Sequence, residues 1–470
     1  MIATLAFALW PILAIILYRM LPLGRATLWT ILGGQLLLPI GEGIGIKIPM
    51  VPQFDKSSIP SMCAFIGCLV SARRAPRFFY SIGLTEVLII AYLAGPIISS
   101  ELNGDPLVFG RTVLPGVGIY DAISAAEAAF ISLIPFFLGR QFLRGSTDSL
   151  AILRILVVTG LLYSLPMLFE IRFSPQLHYW LYGSYSSDIS QELRDGGFRP
   201  VVFMGHGLLA AFYMMTTVVA AAALWRTHDR VFNLPPAIVN LYLGIVLVLD
   251  KSFGALVYAL ALVPLVRFGR PRLQLRIALV LVFIALSYPM MRYFDLVPTK
   301  LILDSVSTIS ADRAASLNTR FDFESALLER ASQRFLFGWG RYGRSRLYSA
   351  ENGGDMTLSD GLWVITLGQF GLFGFIAEFG LLLMSVVRAA AAFKLLESAR
   401  EKVYLSAIAL ILAVNILDLL PNSGLIPWTW LLAGALLGRS EAILARKPRL
   451  AQPAKEISAS KGLRKLPSGA

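Results

Sequence analysis

The groups best placed to do chemistry in this chain stand at the ends of apolar runs and in one long polar stretch. The first set is RDGGFRPVVFMGHG, Arg194 to Gly207. Arg199 immediately precedes a run that opens at Pro200, a residue suited to a helix's first turn. Gly196 and Gly197 let a backbone approach a ligand closely. His206 falls inside that run, about a turn and a half from its start. Ionisable groups inside a membrane face a partner or a water-filled cavity. The pattern therefore describes a cavity that holds phosphate through Arg199, with His206 as hydrogen-bond partner or base. It also describes an arginine reaching up to lipid headgroups and a histidine bonded between helices.

The second set is DKSFGALV, Asp250 to Val257. Only Asp250, Lys251 and Ser252 separate two apolar runs, and a turn needs no charge there. Lys251 either holds an anion in the same external cavity or pairs with Asp250 at the membrane surface. The third set lies in the polar stretch itself. Gly338, Gly340 and Gly343, mixed with Arg341, Arg344 and Arg346, read as a turn whose amides and guanidiniums cradle a diphosphate. A turn that returns the chain to the bilayer has the same composition. Asp360, just before the next apolar run, is a helix N-cap, a carboxylate at the cavity rim, or both.

The polar stretch runs from Arg292 to Asp360 and carries nine Lys/Arg and nine Asp/Glu. Residues 323–335 fit an amphipathic helix with Phe323, Leu327, Leu328, Ala331 and Phe335 on one face. Almost everything else is apolar: 56% of the 470 residues are hydrophobic and 15% are charged, against about 25% charged in soluble domains. Apolar runs of roughly 17–25 residues recur from end to end, the length of transmembrane helices. We place spans at 2–18, 26–41, 58–71, 82–98, 120–139, 149–169, 200–224, 236–249, 253–267, 276–292, 361–387, 403–420 and 424–438. Backbone groups in lipid must be satisfied internally, and no ten-residue alternation suggests a barrel, so these are helices. The fold class is thus an all-α polytopic membrane protein, with about 12–14 transmembrane helices in one domain over 1–438. A medium outer loop covers 170–200, with a short helix near 187–193, and a large one covers 292–360.

Orientation follows from Lys and Arg in the short loops. Arg19/Arg25, Arg73/Arg74/Arg77, Arg140/Arg144, Arg226/Arg230, Arg267/Arg270/Arg272, Arg388/Lys394/Arg400/Lys402 and the tail after Arg439 fall at alternate connections. With thirteen spans all seven are cytoplasmic, the N-terminus is outside, and the large loop is external. The formal charge of +13 then faces anionic lipid headgroups and not nucleic acid. The basic segment 439–470 reads as a disordered cytoplasmic tail. The N-terminus lacks a basic region before its apolar run and reads as a retained span. Cys63 and Cys68 lie on different helix faces and read as small core residues. No Walker-type loop, HExxH motif, nucleophile elbow or zinc-like Cys/His cluster occurs, and the outer loops lack the paired acids of a metal-dependent lipid-linked glycosyltransferase. No metal and no cofactor are predicted.

Taken in order, these motifs resemble the O-antigen ligase / Wzy-type O-antigen polymerase superfamily of bacterial envelope glycosyltransferases, over about 149–420. RDGGFRP resembles the family's Arg-Gly-aromatic segment. DKSFGALV resembles its Ser-Arg-Gly-type segment, although Phe253 stands where arginine is expected. Arg320 to Gly343 resembles the large-loop signature, and SDGLWVITLGQFGLFGF (Ser359–Phe375) resembles the segment that follows. The ligases carry a loop histidine, but the histidines here are His178, His206 and His228, all outside the loop, which favours polymerase.

The resemblance implies transfer of a glycan from polyprenyl diphosphate, on the periplasmic face of the inner membrane, to an acceptor glycan or glycolipid. Arg199, Arg320 and Lys251 would hold the diphosphate with Arg341 helping, because fixed cations stabilise charge that grows on the leaving group. Glu324, Asp360 or His206 would take the acceptor's proton. Anionic lipids and other envelope polysaccharide assembly proteins are the implied partners. The competing readings are a lipid-linked-oligosaccharide flippase, which would show internal repeats, and a non-catalytic scaffold.

Overall fold

The computed structural model describes residues 2–41, 43, 54–72, 78, 83–185, 187, 189–194, 196–308, 310–358 and 360–445, apart from the side chains of Arg194 and Asp312. The basic loop 73–77 and residues 446–470 of the expected 439–470 tail lie outside the described residues; 439–444 are not disordered but continue the last helix, where Arg439 is buried and pairs with Glu401 at 2.6 Å.

Each apolar run becomes a helix. They are α1 (Ile2–Met20), α2 (Leu23–Leu37), α3 (Ser58–Ser71), α4 (Leu84–Glu101), α5 (Ile119–Phe142) and α6 (Ser146–Phe173). Two short helices follow in the medium loop, α7 (Leu177–Tyr182) and α8 (Ile189–Glu192). Then come α9 (Gly207–Thr227), α10 (Pro236–Leu249), α11 (Phe253–Phe268) and α12 (Pro271–Tyr293). The large loop holds α13 (Thr299–Ser307) and α14 (Ala311–Ser332). The chain closes with α15 (Leu362–Phe393), α16 (Ala399–Asp418) and α17 (Pro427–Leu444). Seven of these, α1, α4, α5, α6, α9, α12 and α15, are long and apolar enough to cross a membrane by length and composition. The protein is an all-α, multi-pass membrane protein.

The helices alternate in direction, so their connections fall into two sets. One set contains 102–118, 174–206, 250–252, 294–361 and 419–426, and its members touch one another; we call this end the loop face. The other set carries Arg25, Arg140, Arg144, Arg226, Arg230, Arg267, Arg270 and Arg272.

Close helix packing rests on small residues. A Cβ at Gly434 or Gly438 of α17 would stand 2.0 Å from Phe136 O or 2.1 Å from Arg140 O of α5. The two backbones therefore touch, as glycines four apart permit. Below that contact Arg140 pairs with Glu86 at 2.7 Å and Glu441 at 2.6 Å, tying α4, α5 and α17 together.

Two short hairpins on the loop face were not expected. β1 (Leu107–Phe109) pairs antiparallel with β2 (Thr112–Leu114), and β3 (Leu193–Arg194) pairs with β4 (Gly197–Phe198). The hydrophobic signal of such short, half-exposed strands is too weak to read in sequence.

The expected amphipathic helix over 323–335 is longer and ends earlier, as α14. Ser310 Oγ caps its start, accepting from Arg313 N at 3.4 Å. Leu327, Leu328 and Ala331 are buried as expected, while Phe335 lies past the helix end.

The span expected at 361–387 is broken. Within α15, Gly371 has φ 65° and ψ −167°, so the helix stops there and restarts. The large loop fills the gap. Trp339 N and Gly340 N donate to Gly368 O and Gln369 O, each at 2.8 Å, and Leu372 N donates to Phe335 O at 2.8 Å. Non-helical backbone at membrane depth is tolerated only where protein satisfies it. Here the loop does so.

Candidate functional site around Arg320

The span expected to begin at Pro200 begins seven residues later, at Gly207. His206 is the N-cap of α9 and does not lie inside a span. The reason is a buried carboxylate. Glu170 at the end of α6 accepts from Val201 N at 2.8 Å, Val202 N at 2.7 Å and Leu177 N at 3.0 Å, which holds 200–206 as an irregular, buried segment. Val202 has φ 51°, which a helix does not allow. His206 Nδ1 accepts from Leu208 N at 3.1 Å, an ordinary side-chain cap. Its Nδ1 lone pair is therefore occupied, and a neutral ring carries its proton on Nε2.

Arg199 is buried, 6% exposed, beside two buried carboxylates. Glu192 Oε2 lies 3.6 Å from its Nη1, and Asp250, fully buried, faces it electrostatically. Glu192 Oε1 accepts from Gly207 N at 3.1 Å, a favourable place for negative charge at the start of α9. So the expected anion-holding arginine is largely neutralised from within, while one side of it still forms a cavity wall.

That cavity, about 530 Å³, opens on the loop face. Its wall joins Arg199 just after β4, His206 at the N-cap of α9, Arg320 from α14, Asp360 from the approach to α15, Asp418 at the end of α16 and Asn422 from the α16–α17 turn. Arg320 Nε lies 3.2 Å from Asp360 Oδ2, and its Nη1 donates to Pro421 O at 3.5 Å. Asp360 is not the helix cap: Gly361 occupies that position and no side chain caps α15. Asp360 is instead at the rim, drawn to Arg320.

A second cavity of about 330 Å³ shares Arg320, Leu358 and Asp360 with the first and continues along Leu317, Phe323, Leu327 and Val364. Glu324 lines this one. Its Oε2 accepts from Tyr288 at 3.1 Å and lies 3.5 Å from Arg292 Nε. Burial pushes the Glu324 carboxyl up, and Tyr288 and Arg292 partly offset that. The residue is committed to fastening α14 onto α12.

Two expected members stand elsewhere. Lys251 has φ 53° and reaches under the β3–β4 hairpin, where a Cβ on Gly197 would meet its Nζ at 2.2 Å. It does not line the Arg320 cavity. Arg341 lines two other cavities, one of about 330 Å³ with Trp430 and one of about 230 Å³ with Tyr92 and Glu378. The smaller lies against Leu362, Ile365 and Gln369, a different face of α15 from the one that meets Arg320.

In the glycine-rich turn two of the three arginines are engaged within the protein. Arg344 is fully buried and donates to Trp339 O at 3.2 Å and Pro115 O at 2.9 Å, and Arg346 pairs with Asp355 at 2.7 Å. Arg330 stacks on Trp339, 3.4 Å from the ring centroid. The turn is the plug that meets the broken α15.

Asp418 and Asn422 were missed. Asp418 reads in sequence as the polar end of an apolar run, and nothing local marks it as facing the same space as Arg320. The only available signal was a carboxylate at a span's end followed by PNS, Pro421 to Ser423.

Set against models of known protein families the chain matches none, and no curated protein registers as similar to it.

Proposed function

We propose that this protein is a membrane glycosyltransferase that joins glycan units carried on polyprenyl diphosphate, as an exopolysaccharide or O-antigen polymerase, with ligase the variant that differs only in the acceptor. The observation that carries this reading is the junction at Arg320 and Asp360, where a cavity that gathers Arg199, His206 and Asp418 meets one that continues along Leu317, Phe323, Leu327 and Val364. A lipid-linked diphosphate sugar has this same division. Its prenyl chain suits the apolar side chains of the second cavity, its glycan suits the larger chamber with its charged groups, and the diphosphate between them suits a guanidinium.

In this reading Arg320 holds the diphosphate, and Arg199, its charge offset by Glu192 and Asp250, shapes the chamber wall. Arg320 matters most as the sugar–phosphate bond breaks and negative charge collects on the leaving oxygen. The geometry is fixed in advance, since Asp360 orients Arg320 and Glu192 orients Arg199. His206, with its proton on Nε2, offers a hydrogen bond to a substrate oxygen and is not the base. The donor is already activated on lipid, so this reading involves no sugar-nucleotide hydrolysis. In this reading the loop face is periplasmic and the arginine-rich face is cytoplasmic, by the charge bias of the short loops.

The test replaces the native gene by Arg320→Ala and follows the size distribution of surface polysaccharide at matched protein abundance. Single repeat units without long chains are expected. Unchanged chain length would sink the reading, and lipid-linked units trapped on the cytoplasmic side would indicate a flippase.

A further inference from the structure

We propose that Asp418 is the group that takes the acceptor hydroxyl's proton, and that Asn422 positions it. This rests on the glycosyl-transfer reading above and names the base that reading leaves open.

Elimination within the cavity leads there. Asp360 is held at 3.2 Å by Arg320, and its Oδ2 faces that guanidinium. Glu324 is engaged by Tyr288 and Arg292 and lines the neighbouring cavity. His206 already accepts at Nδ1 from Leu208 N. Asp418 differs from all three. It is the last residue of α16, it lines the larger cavity beside Arg320, and among the described residues it makes no ion pair. Oδ2 accepts from Asn422 Nδ2 at 3.1 Å, while Oδ1 has no hydrogen-bond partner and is not sealed in the protein. A carboxylate with one oxygen anchored and the other open to a cavity is arranged to receive a proton.

Charged and titratable groups face Asp418 from several elements. Arg320 on α14 and Tyr258 on α11 lie within electrostatic range, and Arg199, His206 and Asp360 stand in the same cavity wall. Arg320 on the diphosphate and Asp418 on the acceptor thus bracket one chamber. The acceptor oxygen forms a bond to the sugar's anomeric carbon as its proton passes to Asp418 Oδ1. The bond from that carbon to the phosphate oxygen breaks, and its electron pair leaves with polyprenyl diphosphate. Asp418 then releases the proton to water.

The experiment uses membrane vesicles from the native host, loaded with their own lipid-linked repeat units, and measures chain growth against pH. Asp418→Asn keeps the shape and the Asn422 contact but cannot accept the proton. We expect chain growth to fall about 100-fold or more at normal abundance, with Asn422→Ala giving a smaller loss. Asp418→Asn within about threefold of wild type, beside an inactive Arg320→Ala, overturns the proposal and leaves the glycosyltransferase reading standing. If Arg320→Ala also grows normal chains, the reading itself falls. Should Asp418→Asn fail to accumulate, Asp418→Glu decides. A displaced pH midpoint supports the assignment, and growth with an unmoved midpoint overturns it.

Discussion

Gly338 and Gly371 are two halves of one junction. A Cβ on Gly338 would stand 2.5 Å from Gln369 C, and one on Gly371 would stand 2.3 Å from Leu336 C. Both have positive φ, 68° and 65°. The large loop meets the broken α15 backbone to backbone, and no side chain fits between them. Gly338→Ala and Gly371→Ala should each destabilise the protein by about 2–4 kcal/mol, from left-handed strain plus overpacking. Because they damage one contact, the double variant should cost clearly less than the sum. Thermal melts in detergent, with protease sensitivity of the 333–361 segment, check this. Full additivity would mean the two glycines act separately.

Arg199 should behave as a structural residue as well as a functional one. Arg199→Ala leaves Glu192 and Asp250 buried without their cation, a loss of about 3–5 kcal/mol. Adding Glu192→Gln should recover part of the stability but none of the chain growth. Abundance and melting temperature beside polysaccharide length separate the two effects.

Arg320 and Asp360 should show the reverse. Their side chains are 35% and 51% exposed, so the pair contributes under about 1 kcal/mol. Arg320→Ala should abolish chain growth with a melting temperature close to wild type. A large drop in stability would make Arg320 structural and would undercut its assignment to the diphosphate.

Arg341 points into other cavities. Arg341→Ala should therefore leave chain growth within about twofold, as substitutions away from a site usually do. A loss matching that of Arg320→Ala would place the substrate across both faces of α15.

Lys56, just before α3, predicts a pH dependence. Its ammonium is buried and bonds to Phe203 O, and burial brings its pKa down from 10.5 to about 7. A lysine whose folded pKa is depressed binds fewer protons folded than unfolded between those two values. Stability should therefore rise with pH from about 7 towards 10.5. Lys56→Met should remove that slope. A wild-type slope unchanged by Lys56→Met would show that another group titrates.

Much of the architecture was legible in the chain. The runs 58–71 and 236–249 match α3 and α10 residue for residue, because an apolar run bounded by polar residues is a local property. The irregular 200–206 segment was not legible. Pro200 and the apolar VVF favour a helix start, and what overrides them is Glu170, a carboxylate about thirty residues earlier that captures Val201 N and Val202 N. The same holds for Asp360, a natural cap by position that an arginine from α14 draws away.

What the sequence alone determined was the class of protein, its helical spans, the alternation of basic connections, and the presence of one large polar loop on one face. These follow from hydropathy and charge along the chain, which depend only on neighbours. Tertiary structure alone decided that Arg320 meets Asp360 and shares a cavity with Asp418, that Arg341 and Lys251 stand apart, and that Gly338 closes against Gly371. Which side chains share a cavity depends on how helices distant in sequence are rotated and stacked. A single break in α15 redirects everything packed against it.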